Sequence, residues 1–418
     1  MTFTKPGYSD EGWCVDQFGK RHAIVRPDGT PMLLLGLNHC NVAMPNNPSM
    51  RFAHFQKMDA TLRGLNFNNL GYGAPKALQD RWPYIASAQF HSASHAHDAQ
   101  GFGYIDVFDA GMQQRIRDQV AVLCQRHQRN PNLIGYFWTD TPRWDISTAR
   151  RLRGDDWVSA IRRLPSNSAG KRRYVEFLAD RYKNSDSFSV ATNHWISSFD
   201  DLIQYDFREF DRDNEAMRTD DEAFLGLIAS ELYSVIGQSF DKHAPGQLLF
   251  GERYKLHDHP PQVLREAIKW IDVLSIQPGP EVGPRPGPGQ DEQVFDVSTF
   301  DELHRTTRLP ILICDHKISF ATPDRPITLW HQAASELDAL RLTERFIRAA
   351  IDQPYIVGVQ NCQYKDDFRP ERGNMLKQGL IRENGQPYQQ THDFLSHLNS
   401  SVLADWNHLL EKNRPKKR

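Results

Sequence analysis

Three acids close short apolar runs in this 418-residue chain: Asp140 after Leu133-Ile134-Gly135-Tyr136-Phe137-Trp138-Thr139, Glu252 after Leu248-Leu249-Phe250-Gly251, and Asp315 after Ile311-Leu312-Ile313-Cys314. Paired carboxylates fit the cleavage of glycosidic bonds. One, protonated, gives its proton to the leaving oxygen, and one, ionised, attacks the anomeric carbon or activates water. Asp140 is the candidate general acid and Asp315 the candidate nucleophile or general base. Glu252 is a third candidate catalytic acid, placed to orient a hydroxyl or to replace either of the first two. Two plainer roles stand beside these: Asp140 as a turn cap, and Glu252 with Arg253 as a rim ion pair.

The runs themselves read as strands. Leu133 to Trp138 is apolar, β-branched or aromatic and follows a turn-forming Asn-Pro-Asn. Further strands are expected at Met32–His39, Asn66–Gly71, Trp82–Ala88, Leu248–Tyr254, Asp272–Pro278, Leu309–His316 and Tyr355–Asn361. Amphipathic segments alternate with them, as at Phe224, Leu227, Ile228, Leu232 and Ile236. Eight short strands with intervening helices predict an α/β chain, a (β/α)8 TIM barrel with a small N-terminal β decoration and long βα loops. The expected organisation is an N-terminal β extension over 1–32, the barrel over 33–412 and a frayed tail over 413–418. A polar and basic insert, roughly 146–220, reads as a long loop carrying one helix near 171–183.

Barrel sites are assembled at the C-terminal ends of the strands. Those ends supply Asn38, His39, Asn69, His91, Arg253, Gln277, His316 and Gln360, with Trp138 and Trp144 nearby. Amides and imidazoles both donate to and accept from hydroxyls, and aromatic rings cover the C–H face of a sugar. These ten residues are therefore the candidate substrate-binding set, and a carbohydrate is the expected partner. His316, next to Asp315, should point to the other side of its strand. The run His91, His95, His97 offers a metal-dependent hydrolase as a further alternative. It follows the third strand, and the other strand ends do not complete such a site, so no metal and no cofactor are expected.

Lys and Arg total 50 against 52 Asp and Glu, a net charge of −2, which gives no basic field for a nucleic-acid partner. Five cysteines at 14, 40, 124, 314 and 362 are widely spaced and form neither a disulfide framework nor a zinc motif. No apolar run approaches the ~20 residues of a membrane span, and the first residues lack a signal-peptide core. The chain as it stands reads as cytoplasmic, and as secreted or periplasmic if a leader has been removed. Its oligomeric state is not readable.

Four segments carry a family resemblance: Gly36-Leu37-Asn38-His39, Asn66-Phe67-Asn68-Asn69-Leu70-Gly71, Ile134-Gly135-Tyr136-Phe137 and Leu309-Pro310-Ile311-Leu312-Ile313-Cys314-Asp315-His316. Together with Gly379-Leu380-Ile381 to Pro387-Tyr388, the chain resembles the β-agarase-like (family 50-like) branch of the clan A glycoside hydrolases. The resemblance implies a TIM barrel, a glycosidase and a carboxylate pair after the fourth and seventh strands. The family's Asn-Glu after the fourth strand reads Asp140-Thr141 here, and its seventh-strand Glu is Asp315. Each Asp is one methylene shorter. Two shortenings would widen the carboxyl gap from the ~5–5.5 Å of retaining enzymes toward the ~6.5–9.5 Å of inverting ones. A carbohydrate-binding pseudoenzyme on the same barrel is the alternative that the missing Glu residues raise.

Overall fold

The computed structural model describes residues 12–43, 45, 47–90, 104–140, 143–207, 214–278, 295–323, 328, 332–369, 374–376 and 379–413. Three N-terminal strands, β1 (Cys14–Phe18), β2 (Arg21–Val25) and β3 (Pro31–Met32), form an antiparallel sheet. Eight strands then close a parallel barrel: β4 (Leu34–Asn38), β5 (Asn69–Leu70), β6 (Tyr84–Ser87), β7 (Leu133–Asp140), β8 (Leu248–Lys255), β9 (Leu274–Gln277), β10 (Ile311–His316) and, after two short strands, β13 (Ile356–Cys362). The order is sequential around the wall, with β13 closing between β10 and β4. This is the (β/α)8 barrel with an N-terminal sheet that the strand count predicts. The short strands β11 (Ser319–Phe320) and β12 (Gln332–Ala333) pair with each other, as do β14 (Asp367–Arg369) and β15 (Asn374–Leu376).

Alternation along each strand splits the apolar residues into two cores. One fills the lower lumen with Leu34, Ile85, Ile134, Phe137, Leu248, Phe250, Val273, Leu312, Cys314 and Val357. Trp13, Ile24 and Met32 of the N-terminal sheet belong to the same cluster, so that sheet stoppers the barrel floor. Trp13 Nε1 donates to the Pro131 carbonyl at 3.1 Å, and Arg21 donates to the carbonyls of Ile351 and Asp352 at 2.7 and 3.0 Å. The other core lies between the wall and the helices, where Leu35, Leu37, Leu249, Ile311 and Ile313 face outward. Truncating one of the larger lumen residues, such as Phe250, would cost about 3–5 kcal/mol.

The helices that position the site are α1 (Arg51–Gly64), α2 (Ala110–His127), a group of five in the insert, α8 (Glu215–His243), α9 (Pro261–Ala267), α10 (Val297–Thr307), α11 (Glu336–Asp352) and α12 (Gln389–Asn413). The insert corrects the sequence reading. It is not a loop with one helix but carries α3 (Ile146–Arg153), α4 (Trp157–Arg162), α5 (Ala169–Tyr182), α6 (Ser185–Thr192) and α7 (Asp201–Gln204). Some of the polar residues at its helix starts are caps rather than loop residues. The side chains of Asp145, Asp156 and Asn184 accept the backbone N–H of Thr148, Ser159 and Ser187, which satisfies orphan donors in each first turn. From the insert, Arg162 and Arg150 reach Asp221 of α8 at 2.7 and 3.1 Å, and within it Arg150 pairs with Asp156 at 2.6 Å. The 29-residue α8 buries its apolar residues, among them Phe224, Ile228, Leu232 and Ile236, against the rest of the protein.

Candidate active site

Above its apolar floor the lumen turns polar, and its centre is Arg253. This guanidinium is fully buried. One of its terminal nitrogens lies 2.5 Å from Asp140 Oδ1 and the other 2.8 Å from Asp315 Oδ2. Asn38 Nδ2 donates to Asp315 Oδ1 at 2.7 Å, and Gln277 Nε2 donates to Asp140 Oδ1 at 3.0 Å. The ring of Tyr72 lies against the guanidinium at 4.1 Å, and the Phe137 ring at 5.8 Å. His39 stands at the edge of the cluster, with Nε2 3.5 Å from Asp315 Oδ2 and 3.3 Å from an Arg253 nitrogen.

Two left-handed residues decide what faces the lumen. In β8, Leu248 and Phe250 point inward, and strict alternation would send Glu252 inward as well. Gly251 has φ +67 and interrupts the pairing of β7 with β8, which reverses the alternation above it. Arg253 and Lys255 therefore face the lumen and Glu252 faces the helices. An added Cβ at Gly251 would meet Ile271 at 2.8 Å, and the conformation itself suits glycine. In β10, Leu312 and Cys314 point inward, and Asp315 with φ +49 takes the next inward position in place of His316. A non-glycine residue held there stores backbone strain of a kind that concentrates at functional sites.

The charges settle accordingly. Burial alone would raise the Asp315 carboxyl, but the Arg253 guanidinium, with His39 and Asn38, outweighs it and holds Asp315 well below the usual carboxylate range. Burial would lower Arg253, and the two aspartates more than offset it, so it stays charged. Lys255, the next inward residue of β8, is pushed down to about 8 by burial and by Arg143, against the pull of Asp315 and Asp140. Arg143 itself pairs with Asp258 at 3.2 Å. Asp258 also accepts the backbone N–H groups of Trp144 and Asp145 at 3.2 and 2.8 Å, which fixes the segment that follows β7.

Beneath this cluster, amides line the wall. The side chains of Asn69 and Gln360 are buried and make no hydrogen bond among the described residues. Two glycines leave them room: a Cβ at Gly36 would come within 2.5 Å of Asn69 Oδ1, and one at Gly71 within 2.3 Å of Gln360 Oε1. Unmet donors and acceptors at this depth suit water or a hydroxyl-bearing ligand.

The barrel thus brings together Asn38, His39, Asn69, Asp140, Arg253, Gln277, Asp315 and Gln360. It places four other candidates outside the lumen. Glu252 Oε2 accepts Trp144 Nε1 at 2.7 Å and the Tyr233 hydroxyl at 2.6 Å, in the layer between wall and helices. Trp144 stacks on Trp157 at 4.5 Å, and Trp138 stacks on Phe240 at 5.6 Å. His316 stacks on Phe346 of α11 at 4.1 Å, on the opposite side from Asp315, as its place beside Asp315 predicts. His91, His95, His97 and Thr141 lie outside the described residues. Sequence reading did not single out Tyr72 or Lys255. Tyr72 follows the second strand by one residue, and Lys255 shares its strand face with Arg253 two positions earlier, a spacing that could have pointed to it.

His39, Asp315 and Cys362 offer ligand atoms within 4.8 Å of one another, a set that could hold a metal ion by donor type. The fixed positive charge of Arg253, 2.8 Å from Asp315 and 3.3 Å from His39, opposes a cation there.

No family model matches the chain. It is 21% identical to β-agarase B of Vibrio sp. (strain JT0107) over 336 residues, which cover 77% of this chain and 33% of that protein. The chain therefore spans about a third of the length of the curated relative it matches. Among solved structures, PfGH50B superposes with a TM-score of 0.77 at 16% identity, covering 96% of this chain and 67% of that one. An exo-β-agarase superposes with the same TM-score and identity, covering 96% of this chain and 66% of that one. The chain accordingly shares the barrel fold of the β-agarases to which it is similar.

Proposed function

We propose that the chain is a glycoside hydrolase acting on an oligo- or polysaccharide, a galactan of the agarose type being the first to try. The observation that carries this reading is the convergence of Asp140 and Asp315 on Arg253 at the C-terminal end of the lumen. Two carboxylates at the ends of the fourth and seventh barrel strands are the groups that cleavage of a glycosidic bond requires. Unsatisfied amides line the wall below them, and the fold is shared with an exo-β-agarase. Asp315 rests as an anion, the form needed by a nucleophile or base. Asp140, the general acid assigned from sequence, also rests in an ion pair, and it serves as an acid only if bound sugar draws Arg253 away from it.

The same ion pairs favour a second reading, carbohydrate binding without turnover, because Arg253 neutralises both carboxylates in the resting site. One experiment separates the two. The protein is incubated with agarose-derived oligosaccharides and other β-galactosides. Products are followed by mass spectrometry, and binding of the same sugars by calorimetry. The glycosidase reading expects shortened products. Binding with no product over a long incubation would establish the second reading instead, and neither binding nor product would remove both.

A further inference from the structure

We propose that His39 is the proton-transfer residue of this site and that Asp315 orients its imidazole. The inference rests on the glycosidase reading and replaces the acid that the sequence assigns.

Access is the first ground. The Asp140 and Asp315 side chains are each 5% exposed and Arg253 is 0% exposed, whereas the His39 side chain is 17% exposed. Of these four side chains His39 is the most exposed. Occupancy is the second. Asp315 gives one oxygen to Asn38 and the other to Arg253, and Asp140 Oδ1 takes both Arg253 and Gln277. A carboxylate gripped by a guanidinium gives up no proton, because its ionised form is the one that is stabilised.

Placement is the third ground. His39 has φ +54, a conformation uncommon for a residue with a side chain, and its backbone N–H donates to the Tyr72 carbonyl at 2.5 Å. Its ring lies against that of Tyr72, at 5.4 Å between centroids. The groups around the imidazole are Asp315, Arg253 and the Tyr72 ring, with Cys362 in the same cluster. Its Nε2 thus stands between a donor and an acceptor. Unprotonated, that nitrogen accepts from Arg253. Protonated, it donates to Asp315, and the Nδ1–H, which meets no acceptor among the described residues, is left for a ligand. An imidazole has two ring nitrogens and can accept at one while it donates at the other.

The step balances as follows. The glycosidic C–O bond breaks with its electron pair on the leaving oxygen, which takes the Nδ1 proton of the His39 imidazolium. Water adds to the anomeric carbon and the proton it loses passes to the His39 imidazole that the first half of the step left neutral, so the imidazolium is restored and the net reaction is hydrolysis.

The test compares leaving groups. His39→Asn suits the left-handed backbone, and His39→Gln serves as a second variant. Each is assayed with an agarose-derived oligosaccharide, whose leaving oxygen needs a proton, and with 2,4-dinitrophenyl β-galactoside, whose leaving group does not. The expected result is a loss of about 100-fold or more on the oligosaccharide, a loss below about 10-fold on the aryl galactoside, and partial recovery with added imidazole. Equal losses on both substrates, or unchanged turnover of both, overturn the inference and leave the glycosidase reading standing. So does a leaving-group-dependent loss in Asp140→Asn that His39→Asn does not show. A wild-type protein that turns over neither substrate overturns both.

Discussion

Strand β8 carries two charged residues side by side, and they do opposite things. Glu252 faces outward into an aromatic layer, where Trp144 and Tyr233 donate to it and the Tyr233 hydroxyl also meets that of Tyr254 at 2.7 Å. Arg253 faces inward and joins Asp140 to Asp315. The outer carboxylate ties helix α8 and the start of the insert to the barrel wall, an architectural task. The inner cluster sits above buried amides with unmet hydrogen-bonding capacity, and one of its members, His39, is partly exposed. Burial and a strand-end position are common to both sides. What separates the two is their surroundings: Glu252 is held by Trp144 and Tyr233, whereas the inner carboxylates share one cation above the unpartnered amides of Asn69 and Gln360.

The largest effect should come from removing the inner cation. Arg253→Met leaves two carboxylates buried without their shared partner, which should cost about 3–5 kcal/mol of stability by chemical denaturation together with the loss of turnover. Stability unchanged within error would mean that the bridge contributes nothing. On the outer side, Glu252→Gln replaces a charged acceptor by a neutral amide. It should cost about 1–3 kcal/mol while turnover stays within a few-fold of wild type.

Acid should weaken the inner cluster in a defined window. The folded Asp315 carboxyl is depressed, so its stabilising contribution is complete above the ordinary aspartate range near ~3.9 and is lost as pH falls through that range toward the folded value. Urea denaturation between pH 6 and pH 3 should show stability falling below about pH 4, with a shallower fall in Asp315→Asn. An equal slope in the two proteins would deny Asp315 that role. The smallest effect is expected at His316, whose ring nitrogens are buried without a hydrogen bond among the described residues. Burial holds it at about 3, and therefore neutral. His316→Phe keeps the stack on Phe346 and removes polar atoms that gain nothing, so stability should stay within about 1 kcal/mol of wild type or rise.

The barrel and its strand ends were legible because period-2 burial and apolar runs follow from the chain alone. Asp140 and Asp315 were legible for the same reason, each closing such a run. The direction of the side chains near the rim was not. Regular alternation puts Glu252 inside, and the left-handed turn at Gly251 puts it outside. A lone glycine inside a strand signals a bulge without saying which neighbour it turns inward. Trp138 and Trp144 read as sugar platforms because aromatic rings suit sugars and helix packing equally, and only their stacking on Phe240 and Trp157 separates the two uses. The insert hid its helices partly because Asp145, Asp156 and Asn184 at their starts are N-caps, and the same residue types favour loops.

The account turns on the inner face of β8 being the chemical one. The most direct measurement is kcat/KM for an agarose-derived oligosaccharide in two folded variants assayed side by side, Asp315→Asn and Glu252→Gln. The account predicts a loss of roughly 10³-fold in the first and retention of most activity in the second. Full activity in Asp315→Asn with a comparable loss in Glu252→Gln would contradict it.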